Sequence, residues 1–177
     1  MAGLGFLNRS LVAAPIDART FENFGQLIDP SRVVPEAIND GTTQRHSDLA
    51  QLDLCARGDP VLSIYVASAR EFPLPVRRLE RHREASQVFL PLGMHRFIVI
   101  VAPGLEAPEW ENVRAFITAP GQGVALRRAT WHHGLVALAD GDRFAVIEGA
   151  NYREDTVEVP APYEIMLLRP VSAASPA

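Results

Sequence analysis

The chain has 177 residues, 47% hydrophobic and 21% charged, which is the profile of a globular domain with a real core rather than a disordered segment. Its net charge of −4, from 17 basic and 21 acidic residues, offers no basic field for phosphate, so nucleic acid is not an expected partner. One cysteine, Cys55, excludes an internal disulfide framework and fits a reducing cytoplasm, and the longest apolar run, FIVIVA at 97–102, is too short for an expected membrane span.

The opening MAGLGFLNRSLVAAPIDA has its apolar part broken by Asn8, Arg9 and Ser10, so no targeting segment is expected. Fourteen prolines and twelve glycines then cut the chain into short pieces, which favours many strands over long helices. IDARTFENFG at 16–25 reads as a helix capped by Asp17 and closed by Gly25. PVLSIYVASA at 60–69 reads as a strand, and SQVFLPL (86–92) with RFIVIVA (96–102) as a hairpin turning at Gly93. APEWENV at 107–113 predicts a single short helix. Strands are predicted at 114–118, 123–128, 135–138 and 143–149, with Asp140 and Gly141 as a hairpin turn. YEIMLLRP at 163–170 closes the sheet. The whole, 1–177, reads as one domain with a frayed tail over 170–177. Short strands with turns at this spacing suggest a sandwich or barrel.

Two stretches carry candidate chemistry. In RRLERHREASQVFLPLG (77–93), Glu80, His82 and Gln87 form the spacing E-x-H-x4-Q. Positions 80 and 82 share a strand face, and Gln87 can return to that face across a turn. Histidine nitrogens and carboxylate oxygens suit a divalent ion, with a carboxamide as a weaker neutral ligand. The same residues also fit a solvated charge cluster at a sheet edge. In RRATWHHGLVAL (127–138), a continuous strand GVALRRATWHH would put Arg128, Thr130 and His132 on one face and Arg127, Trp131 and His133 on the other. Trp131 then reads as core, and His133 as a histidine packed beside it, pointing away from any pocket.

Elsewhere, Arg45 and His46 in QRHSDLA read equally as loop residues pairing with Asp48. Arg70 reads as a strand-end cation able to hold a small carboxylate bidentately. Cys55 reads as a buried or edge thiol, and the acidic GLEAPEWE (104–111) as solvent facing.

The E-x-H-x4-Q stretch, with Gly93 six positions beyond Gln87, resembles the first motif of the cupin superfamily, H-x-H-x3,4-E-x6-G. His132, fifty residues beyond His82 and three after Ala129, resembles the histidine of the second motif, which assigns it to the inside. Taken together, INDGTTQRHSDLA, RLERHREASQVFLPL, RFIVIVAPGLEAPEWENVRAFITAPGQGV and TWHH resemble the ureidoglycolate lyases in order and spacing over roughly 16–159. The resemblance implies a mainly β, cupin-like double-stranded β-helix barrel (a jelly roll) with a few short helices. It also implies a homodimer and an enzyme that splits ureidoglycolate into urea and glyoxylate in allantoin breakdown. Nickel or a similar divalent ion is the implied cofactor, with Glu80, His82, Gln87 and His132 as candidate ligands. Glu80, His82 and His132 are the candidate catalytic residues. Gln87, Arg45, His46 and Arg70 are the candidate contacts to a small carboxylate substrate.

The chain departs from that family's pattern in places. Ala125 and Leu126 stand where Asn and Tyr are usual, Gly134 where Pro is usual, and Glu148 where Asp is usual in a late D-R-G-G-x-x-x-N-C segment. Two lost hydrogen-bonding groups, at about 1–3 kcal/mol each, would open the way to a different substrate. A cupin enzyme acting on another small hydroxy or keto acid, and a non-catalytic small-acid-binding cupin, are the alternatives.

Overall fold

The computed structural model describes residues 8–54 and 59–170. Before Cys55 come β1 (Arg9–Leu11), β2 (Ala14–Pro15), the one-turn helix α1 (Ala18–Phe21), β3 (Gly25–Ile28), β4 (Glu36–Ile38) and β5 (Thr43–Arg45). There follow β6 (Pro60–Ala67), β7 (Leu74–Pro75), β8 (Arg78–His82), β9 (Gln87–Pro91) and β10 (Phe97–Ala102). The remainder is β11 (Arg114–Ile117), β12 (Gly123–Leu126), β13 (Trp131–His132), β14 (Val136–Ala137) and β15 (Asp142–Gly149). Helix α2 (Tyr152–Asp155), β16 (Thr156–Pro160) and β17 (Ile165–Leu167) end it. No helix among the described residues is long and apolar enough to cross a membrane.

The strands build a mainly β, cupin-like barrel. A seven-stranded sheet, β16-β8-β13-β10-β11-β2 with β14 also on β10, faces a five-stranded sheet, β3-β12-β9-β15-β6. Alternation along β10 divides the core. Phe97, Val99 and Val101 point between the two sheets, against Phe89, Val124, Leu126, Phe144 and Val146. Ile98, Ile100 and Ala102 point to the opposite side, where Leu11, Leu74, Ile165 and Leu167 of a three-stranded sheet, β1-β17-β7, cover them. Trp131 is fully buried in that second layer, as its sequence context predicts.

Asp17 does cap α1, its carboxylate accepting from the backbone N–H groups of Arg19 and Thr20. Gly25, expected to close this helix, instead opens β3 opposite Leu126. A Cβ there would stand 2.1 Å from the Ala125 carbonyl oxygen, so only glycine lets the two strands approach. Neither predicted hairpin forms. β9 pairs with β12 and β15, whereas β10 pairs with β11, β13 and β14 in the other sheet. The turn at Asp140 and Gly141 exists, with Gly141 at φ +81°, but it joins β14 of one sheet to β15 of the other. Both turns are corners of the barrel. β17 ends in the small third sheet rather than closing a large one. The 107–113 segment forms only a 3-10 turn, Trp110–Asn112. Cys55 and the tail from Val171 onward lie outside the described residues, as do the first seven.

Candidate active site

β8 supplies the first half of the site. Leu79 and Arg81 face the outer core layer, so Glu80 and His82 turn inward, as the two-residue period requires. The second half arrives by a corner, and here the expected continuous strand is overturned. β12 stops at Leu126 in the five-stranded sheet, and β13 begins at Trp131 in the seven-stranded one. Between them Ala129 takes φ +63°, its N–H donating to the His82 carbonyl, while the Thr130 hydroxyl and the Arg127 N–H both donate to the Phe24 carbonyl. The corner delivers His132 opposite Glu80 on one side and opposite Val101 on the other.

Glu80, His82 and His132 therefore converge, with one potential ligand atom from each lying within 4.8 Å of the others. The Glu80 Oε1 to His132 Nε2 distance is 3.6 Å, and the two imidazole centroids stand 5.4 Å apart. The hydrogen bonds fix both tautomers. His132 Nδ1 faces the Thr130 carbonyl, which can only accept, so Nδ1 carries the proton. The Thr156 hydroxyl gives its hydrogen to the Tyr152 carbonyl and so accepts from His82 Nδ1. Both Nε2 atoms are left as bare lone pairs, buried and without a hydrogen-bond partner. Burial drives the His132 pKa down to about 4 and lowers that of His82, whose neighbour His132 adds to the effect. Burial raises that of Glu80. Acceptors meet here with no donor among them, an arrangement that suits a cation.

The five-stranded sheet faces this cluster with a second polar group. Gln87, buried on β9, donates from Nε2 to Glu148 Oε2 at 2.9 Å, and the Tyr65 hydroxyl lies 3.5 Å from Glu148 Oε1. Burial, with Glu148 second, pushes the Tyr65 pKa up to about 12, so the phenol remains a donor.

A wide pocket of about 1110 Å³ opens onto Glu80 and His132. Tyr65, His133 and the arginines Arg70, Arg77 and Arg78 also line it. His133 thus faces the same pocket as His132, contrary to the expectation from alternation. β13 ends at His132, so the strand period no longer governs the next residue. The His133 Nδ1 donates to the Gly134 carbonyl, leaving its Nε2 bare as well. Arg45 and His46 lie outside this lining. Arg45 pairs with Glu36 across the β4–β5 hairpin, not with Asp48, and His46 Nδ1 meets the Pro30 carbonyl. Both are exposed.

A family model described as ureidoglycolate lyase matches residues 8–167. The chain belongs to the ureidoglycolate lyase family. It is similar to proteins named ureidoglycolate lyase from Azotobacter vinelandii, at 40% identity over 79% of this chain and 85% of the relative. It is equally similar to one from Rhodobacter capsulatus, at 40% over 85% of this chain and 95% of the relative. A protein of that name from Pseudomonas entomophila matches at 36% over 90% of this chain and 96% of its own length.

Against ureidoglycolate lyases, the departures of this chain now have positions. Ala125 packs with Ile28 and Val88 on the outer face of its sheet, so it touches no part of the site. Leu126 does face the barrel interior, opposite Gln87. Gly134 sits at the pocket rim, where a Cβ would meet only Glu80 Oε1, at 4.0 Å. Sequence reasoning alone did not bring Tyr65 and Glu148 to the site. Each lies on a strand whose partners stand 53 residues or more away in the chain, and the local signal at Glu148 is a carboxylate directly after the apolar run FAVI.

Proposed function

We propose that this chain is a ureidoglycolate lyase of allantoin catabolism, releasing urea and leaving glyoxylate, and that Glu80, His82 and His132 hold a divalent ion. The observation that carries the ion is the meeting of one carboxylate and two bare Nε2 atoms with no donor between them. Imidazole with carboxylate is a donor set that nickel and its neighbours favour. When bound, the ion supplies positive charge for the substrate's hydroxyl and carboxylate oxygens.

In ureidoglycolate one carbon carries a hydroxyl, a carboxylate and a urea nitrogen. The hydroxyl proton leaves, a C=O bond forms, the C–N bond breaks with its electrons going to nitrogen, and a proton returns to that nitrogen. His133, with a bare Nε2 in the open pocket, is placed to accept the first proton and return it. Arg70, on the wall of the same pocket, gives the carboxylate a bidentate partner. Tyr65 offers a neutral O–H at the inner wall.

The test is glyoxylate release from ureidoglycolate by the chain as purified, after chelation, and after reloading with nickel, manganese or zinc. Activity lost on chelation and restored by an ion supports the reading. Undiminished activity after complete stripping overturns the ion, and no release in any state overturns the substrate.

The proposed assembly is a homodimer across β6. This edge strand carries no charge, and it exposes Leu62, Ile64 and Val66 opposite Ile147, Ala145 and Arg143 of β15. An uncharged edge with an apolar face pairs readily with its own copy about a two-fold axis. The proposed compartment is the cytoplasm, in keeping with a single thiol and a small polar substrate.

A further inference from the structure

The pairing of β9 with β15, with Ile147 opposite Val88, sets Gln87 and Glu148 side by side on the inner face at the next rung. Glu148 is 2% exposed, and its hydrogen-bond partners among the described residues are the Gln87 amide and the Tyr65 hydroxyl, both neutral. A buried carboxylate balanced only by neutral donors is expensive unless a positive charge stands near.

The amide of Gln87 has one donating and one accepting end. Glu148 takes the NH2 group, so the carbonyl must turn the other way. That Gln87 Oε1 is buried and without a partner, the same condition as the Nε2 atoms of His82 and His132. In the ion-free chain Glu148 is the hydrogen-bond partner that tells the two ends of the amide apart. We propose that Glu148 is a positioning residue: it holds the Gln87 amide with its carbonyl oxygen turned toward the Glu80, His82 and His132 cluster, adding a fourth acceptor for the cation. This rests on the reading of that cluster as the ion site. The five-stranded sheet thereby contributes to a centre whose other ligands all come from the seven-stranded one.

The experiment is a competition titration of nickel against a chromophoric chelator, using the stripped full chain, so that the readout is affinity and not turnover. Gln87→Leu and Glu148→Leu should each weaken binding by about 10–100-fold, the usual effect of losing an orienting partner. The double variant should bind no more weakly than Gln87→Leu alone. Glu148→Gln, whose carbonyl oxygen still accepts from the Gln87 amide, should stay close to wild type. Glu148→Leu binding as wild type overturns the proposal, and so does Glu148→Gln falling as far as Gln87→Leu, which would mean that only charge matters. Should Glu148→Leu fail to fold, the comparison of Glu148→Gln with Gln87→Leu decides by the same criterion. Wild type taking up no nickel removes the ion site and this proposal with it. Binding lost in His132→Ala but untouched by both Gln87→Leu and Glu148→Leu removes this proposal alone.

Discussion

The guanidinium of Arg81 lies over the indole of Trp131, 4.4 Å from the ring centroid. The two residues are neighbours of His82 and His132, and they occupy the opposite face of the same two strands. Arg81 is 4% exposed and also donates to the Leu105 carbonyl, with Glu106 at 3.6 Å. Arg81→Ala should therefore cost about 2 kcal/mol of stability through lost stacking and packing, read from the denaturant midpoint. The Trp131 fluorescence should shift toward longer wavelength as water reaches the ring. An unchanged midpoint would show the stack to be idle.

The ion-free chain should become more stable as pH rises from about 4 to about 7. His132 titrates at about 4 in the fold against an ordinary value near 6.5. The unfolded chain thus binds the extra proton between those values, and stability is lost as pH falls through them. A shift of that size is worth about 3 kcal/mol. His82 and His133 are lowered too and act in the same direction, while the raised Glu80 opposes them over its own range. Urea midpoints at several pH values check this, and His132→Asn should flatten the slope.

His133→Ala should reduce kcat by about 10²–10⁴-fold, the range for a lost proton-transfer group, with little change in the unfolding midpoint. His132→Ala should abolish turnover and ion uptake together. Equal ion affinity in His132→Ala and wild type would place the ion elsewhere.

Light scattering should give twice the 19.4 kDa chain mass for the wild type. Ile64→Glu, at an exposed position of β6, should give the single-chain mass without unfolding the barrel. Persistence of the dimer in that variant would move the interface off β6.

Glu80 and His82 were legible because a strand's two-residue period is local and held over β8. The inward His132 came from its motif spacing, although the strand argued for it is broken at a corner. His133 escapes the alternation because β13 ends one residue before it. Gly93 and Gly141 announce a reversal of the chain, but a corner leading to the other sheet carries the same glycine signal as a hairpin within one. The meeting of Gln87 and Glu148 was invisible for a different reason: nothing near either residue encodes the register of β9 against β15.

β13 is two residues long, yet His132 is held through its backbone by rungs to Val101 and to Glu80. The main chain at this position belongs to the scaffold, and only the imidazole belongs to the chemistry. A single codon change at 132 would leave the ladder intact while replacing the reactive group. The same holds for Glu80, whose rungs to His132 and Glu158 are made by the backbone. Such positions are where a lineage can exchange one reaction for another without first losing the fold.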